Sequence, residues 1–159
     1  MQRFRIITLF VTAILFIACK DNKSSTQKEG NTVSTTQKKA NLIDGFWELN
    51  YMDSTPQPLD SLFLEEKPGF KIEKQKGKIS GFSGCNNFSG NLEIEDNEFS
   101  LGKEVAVTRK MCPDMTGEDL FLKNLQKITS YSVTNRGRTL NLISDDRAIM
   151  RLERKNTDQ

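Results

Sequence analysis

Between residues 42 and 155 the apolar side chains recur at alternate positions in short runs, and a period of two commits a chain to strands with one buried face. The runs are Phe46 or Trp47 through Leu49 and Tyr51, Phe70 with Ile72, Leu92 with Ile94, Phe99 with Leu101, Val105 with Val107, Tyr131 with Val133, Leu140 with Leu142, and Met150 with Leu152. Turn chemistry separates them at Gln75-Lys76-Gly77, Asp96-Asn97, Asn135-Arg136-Gly137 and Ser144-Asp145-Asp146. Connections this short make antiparallel hairpins, because parallel strands need a crossover of about a dozen residues or more.

One segment changes period. Thr116-Gly117-Glu118-Asp119 has the form of a helix start, with the threonine capping and the acids in the first turn, and Phe121, Leu125 and Ile128 follow at i, i+4 and i+7. Leu122 widens that stripe, while Lys123, Asn124, Gln126 and Lys127 are expected to face water. The fold class expected is β-rich α+β: a curved antiparallel sheet or open barrel of about eight strands with one amphipathic helix of about twelve residues packed on it.

The residues before 42 have a different character. Arg3 and Arg5 precede an apolar run from Ile6 to Ala18, interrupted only by Thr8 and Thr12. At ~1.5 Å per residue that run makes roughly 20 Å of helix, short of the ~30 Å hydrocarbon core, so residues 1–19 read as a signal peptide and not as a spanning anchor. Leu15-Phe16-Ile17-Ala18-Cys19 resembles the bacterial lipobox, with Phe16 where that motif usually carries leucine. The resemblance implies lipid attachment to Cys19 and cleavage just before it. Residues 20–41 hold one valine and no aromatic residue, too little apolar surface to offset ordering entropy, and are expected to be a disordered polar tether of net charge +3. Residues 42–155 are expected to be the one folded domain.

Composition excludes much chemistry. The chain has no histidine, which removes Ser-His-Asp and Cys-His catalysis and imidazole-based zinc sites. With 23 basic and 21 acidic residues, no strong overall field exists to gather nucleic acid.

The densest segment is Ser80-Gly81-Phe82-Ser83-Gly84-Cys85-Asn86-Asn87-Phe88-Ser89-Gly90. Gly81, Gly84 and Gly90 around Cys-Asn-Asn imply positive φ or close backbone approach at several points. Taken with Thr108-Arg109-Lys110-Met111-Cys112 downstream and Trp47-Glu48-Leu49 upstream, the order resembles the META domain, also called HslJ-like, over residues 42–153. The resemblance implies a small β-rich domain with a helix, in bacterial envelope lipoproteins, with no enzymatic activity established for the class and a context of heat or envelope stress. Its motif positions here are Trp47, Gly81, Gly84, Asn86, Asn87, Gly90, Thr108 and Met111.

Cys85 and Cys112 remain once Cys19 is lipidated, and an oxidising compartment permits a disulfide between them. Buried free thiols and a reactive thiol beside Arg109 or Lys110 are the other two readings. Asn86 and Asn87 offer donors and acceptors for a polar site, or brace a glycine-rich turn. Glu93 and Glu95 share the strand face opposite Leu92 and Ile94, a face expected to lie in water. Asp145-Asp146 and Asp96-Asn97 lack calcium-loop spacing, and Arg136-Gly137-Arg138 lacks aromatic neighbours for stacking bases. The chain is therefore expected to be a non-enzymatic, monomeric envelope lipoprotein with a binding or structural role, needing no cofactor or metal. It would touch the membrane through Cys19 and an unidentified envelope protein or ligand through its domain. The alternative is a carrier of a small apolar ligand inside the β structure.

Overall fold

A computed structural model describes residues 42–156; the segments expected to be a signal peptide and a tether, with Cys19, lie outside the described residues. Eight strands form a closed antiparallel barrel in chain order: β1 (Gly45–Met52), β2 (Gly69–Glu73), β3 (Lys78–Phe82), β4 (Asn87–Glu95), β5 (Glu98–Val107), β6 (Ser130–Thr134), β7 (Thr139–Ser144) and β8 (Arg147–Lys155). A short helix α1 (Leu59–Leu62) lies between β1 and β2, and the longer α2 (Thr116–Leu125) between β5 and β6. Closure comes from β8, which pairs along β1 from Phe46↔Lys155 to Met52↔Met150. The β-rich α+β expectation holds, and the sheet closes on itself.

The alternating side chains supply the interior. Trp47, Leu49, Phe70, Ile72, Ile79, Phe99, Leu140 and Leu152 point inward and are almost fully buried. An eight-stranded barrel is just wide enough for its own side chains to fill, and each such residue contributes about 1.5–3 kcal/mol by leaving water. Phe121 of α2 enters the same core, its ring 5.8 Å from Phe88 and 6.5 Å from Phe70.

Strict alternation fails at three places. An irregularity between Leu49 and Tyr51 on β1 shifts the register against β8, so Tyr51 turns out onto Arg151 while Met52 takes the inward place. The Phe99-Leu101 and Val105-Val107 runs belong to one ten-residue strand, β5, displaced in the middle where Asn91 of β4 faces no single partner. The eighth strand is instead β3, whose alternation is hidden because an inward position holds Gly81. A Cβ on Gly81 would sit 2.7 Å from Phe70 Cβ, so the two strands can approach only without it.

β5 and β6 meet at a single rung, Glu98↔Ser130. Beyond it the ladder stops, and Leu122 and Leu125 of α2 line a small apolar cleft with Leu101, Val105 and Val107 of β5. The helix is ten residues long and begins at Thr116, whose N–H donates to Asp114 Oδ1 at 2.8 Å, so Asp114 and not the threonine serves the helix start. Asn124, expected in water, is buried, as is Glu118.

Candidate functional site

The turn from Ser83 to Asn86 joins β3 to β4 and is folded by its own sequence. Gly84 has φ +114°, and a Cβ there would meet the Phe63 ring at 2.6 Å, so both conformation and space demand glycine. Ser83 N–H donates to Asn86 O at 2.8 Å and closes the turn. This leaves the Ser83 hydroxyl and the Asn86 N–H directed at α2.

Glu118 receives them. Its Oε2 accepts the Ser83 hydroxyl at 2.6 Å and the Asn86 N–H at 2.7 Å, and its Oε1 accepts the Asn86 side-chain amide at 2.9 Å. Burial, with 4% of the residue exposed, pushes the carboxyl toward neutrality, but the donors of Ser83, Asn86 and the Cys85 backbone outweigh it and hold its pKa below the ordinary glutamate value. Glu118 is therefore a buried, ionised carboxylate held by neutral donors.

Asn86 is the hub. Its Oδ1 accepts the Thr108 hydroxyl at 2.9 Å and the Lys110 N–H at 2.7 Å, drawing in the segment after β5. Thr108 in turn accepts the Asn87 N–H at 3.1 Å and donates its own N–H to Asn87 O at 2.9 Å. Cys85 and Cys112 form a disulfide across the same junction with a Cα separation of 6.3 Å, which decides among the three readings of that pair.

Cys85, Asn86, Thr108 and Cys112 thus converge, with Gly84 shaping their turn and the Asn87 backbone joining them; the side chains of the other motif residues do not. Asn87 contributes backbone only among the described residues, and Met111 is fully exposed beside the bond. Gly90 has only ordinary contacts, 3.5 Å or more, around the place of a Cβ, so neither strain nor space requires it to be glycine. Trp47 serves the opposite end of the barrel: its Nε1 donates to Ile43 O at 2.8 Å, and Arg154 lies 4.2 Å over its ring. Arg154 also donates to Gly137 O at 2.7 Å, Asp44 O at 2.6 Å and Leu42 O, which ties the chain entry to the β6–β7 turn. Burial draws the guanidinium pKa down, with Asp44 pulling the other way. Glu93 and Glu95 lie in water, and Asp96, Asp145, Asp146 and Arg136 occupy positive-φ turn positions.

Glu118 and Arg154 are the important residues that pattern reading missed. The acid stood in an unremarkable helix start, and the only hint of its burial was Gly117 beside it, where a Cβ would meet the Phe63 ring at 2.7 Å. Arg154 carried no local signal.

A family model for the META domain matches residues 40–157. The chain belongs to the META domain family. The fold recurs in a protein from Burkholderia xenovorans solved by NMR, with TM-score 0.58 and 24% identity, the match covering 88% of this chain and 99% of that one. A second NMR structure gives TM-score 0.55 and 22% identity over 76% of this chain and 97% of its own. A crystal structure of a duf4847 family protein from Bacteroides vulgatus gives TM-score 0.50 and 11% identity, covering 74% and 96%. No curated protein sequence matches. Identities this low establish a shared fold and nothing about activity.

Proposed function

We propose that this chain is a lipid-anchored cell-envelope protein, held at the outer membrane through Cys19, whose META domain binds or buttresses an envelope partner under heat or envelope stress and does not catalyse. The observation that carries the reading is the saturation of the motif. Asn86 uses both ends of its amide within the domain, Glu118 stays ionised under several donors, and both thiols are bonded to each other. A nucleophile or base needs a lone pair that faces a substrate, and Glu118 and Asn86 are buried against their own turn. A carrier of an apolar ligand would need an empty interior, whereas Trp47, Phe70, Phe99 and Phe121 occupy it.

The anchoring half is tested by intact mass and palmitate labelling of protein from envelopes. Wild-type protein should carry the lipid, and Cys19→Ser should lose both the label and the membrane fraction; wild-type protein with no added mass overturns it. The non-catalytic half is tested by Glu93→Ala and Glu95→Ala, which should leave the phenotype intact. Selective loss of a measurable turnover in a folded variant would replace this reading with an enzyme.

A further inference from the structure

The end of the barrel that holds the β3–β4 turn carries two short segments of mirrored composition. Leu64-Glu65-Glu66 lies between Phe63 and Pro68, and both of those residues face Gly84, where a Cβ would meet the Phe63 ring at 2.6 Å and Pro68 Cγ at 3.8 Å. Arg109-Lys110-Met111 is held to the same turn by the Thr108 N–H on Asn87 O at 2.9 Å, the Lys110 N–H on Asn86 Oδ1 at 2.7 Å and the Cys85–Cys112 bond. One turn thus fixes an acidic segment and a basic one at the same end of the molecule.

All six side chains stand in water. Leu64 is 86% exposed and Met111 fully so, far more than any other large apolar side chain among the described residues. A lone exposed apolar side chain is ordinary. What sets these two apart is the charge beside them. Glu65, Glu66, Arg109 and Lys110 join no ion pair among the described residues, whereas the neighbouring Lys67 is spent on Asp60 at 2.7 Å and Asp114 on the Thr116 N–H at 2.8 Å. The acids and bases do not meet within one chain, although the same turn holds both segments. A second copy related by a two-fold axis sets each segment against its complement, twice over. Because both segments share one end of the barrel, such a contact closes head to head with two copies.

We propose that the chain forms a two-fold, head-to-head dimer through this end, with Arg109 and Lys110 of one copy facing Glu65 and Glu66 of the other and Met111 packing on Leu64. The pairing departs from the monomer expected from the sequence, and it needs neither the lipid anchor nor a stress role. Contact between short segments buries little area, so the dimer is weak and reversible. Anchoring of both segments to one turn limits the ordering cost of forming it.

The test co-expresses two differently tagged full chains and reads co-purification of the tags, with a zero-length carbodiimide to trap amine–carboxylate contacts. A Lys110–Glu65 or Lys110–Glu66 link between the two tags, at the mass of a dimer, is expected. Glu65→Lys with Glu66→Lys, or Arg109→Glu with Lys110→Glu, should cut self-association about tenfold and leave the melting temperature near that of wild type, since all four side chains are exposed. Co-expressing the two reversed variants with each other should restore association, because each reversed segment then meets an opposite charge. Leu64→Ser with Met111→Ser should weaken it as well. Wild-type tags that fail to co-purify overturn the proposal. So does association that survives either reversal, which would place the contact elsewhere, or reversed variants that stay apart when combined, which would assign these charges to a different partner.

Discussion

The two ends of the barrel each hold one charged side chain among neutral groups, Glu118 fully buried and Arg154 half-buried, and they do so with opposite chemistry. At the β3–β4 end Glu118 is surrounded by donors, the Ser83 hydroxyl and the Asn86 N–H and amide; at the other end Arg154 is surrounded by the carbonyls of Leu42, Asp44 and Gly137. Among the described residues neither faces a full counter-ion at bonding distance. Neutral dipoles satisfy a buried charge without the desolvation of a second ion. The ends differ in what reinforces them: the Glu118 end carries the Cys85–Cys112 bond, and the Arg154 end has Trp47 beneath the guanidinium. They differ also in titration, since a carboxylate can be neutralised by acid and an arginine cannot be neutralised within the folding range.

The largest effect should come from Glu118→Ala, which strands the buried Asn86 N–H and leaves the Ser83 hydroxyl only Asn86 O and the Asn86 amide only the Cys85 sulfur. About 4 kcal/mol of stability should disappear in denaturant unfolding. A loss below about 1 kcal/mol would mean that water reaches the turn and that the two ends are not comparable. Next, reducing the Cys85–Cys112 bond, 27 residues apart in sequence, should cost about 3.5 kcal/mol on the chain-entropy account. Thiol alkylation with and without reductant, followed by melting, reads this out. Arg154→Met should cost less, about 2 kcal/mol, because carbonyls tolerate loss of one donor better than N–H groups tolerate loss of an acceptor. An Arg154 variant less stable than Glu118→Ala would reverse the ranking of the two ends.

Acid sharpens the contrast further. The folded Glu118 pKa lies below its unfolded value, so its contribution is complete above the unfolded value of about 4.3 and is lost as pH falls through the lower folded one. Denaturant midpoints from about pH 6 to about pH 3 should therefore fall more steeply in wild type than in Glu118→Gln. Arg154→Met should keep the wild-type acid slope. The smallest effect belongs to the segment before the barrel: deleting residues 20–41 should change stability by less than ~1 kcal/mol, or roughly 3–6 °C in Tm, checked by calorimetry.

What local sequence determined is whatever depends on neighbours a few residues apart. The period of two placed Leu49, Phe70, Leu92 and Leu140 inside, and the i, i+4 stripe placed Phe121 and Leu125 there too. Gly84 was legible as a position needing a special backbone, because a tight turn and its residue lie in the same few atoms. The cysteine spacing left the pairing open until the two residues were seen to meet. Tertiary structure alone decided the closure of β1 on β8, the outward turn of Tyr51, the identity of β3 as a strand, the burial of Glu118 and Asn124, and the carbonyls gathered around Arg154. The reason is reach: Glu118 bonds a residue 32 positions away and Arg154 one 110 positions away. A charge is hidden or exposed according to which distant backbone the closed barrel brings to it, and no local pattern carries that information.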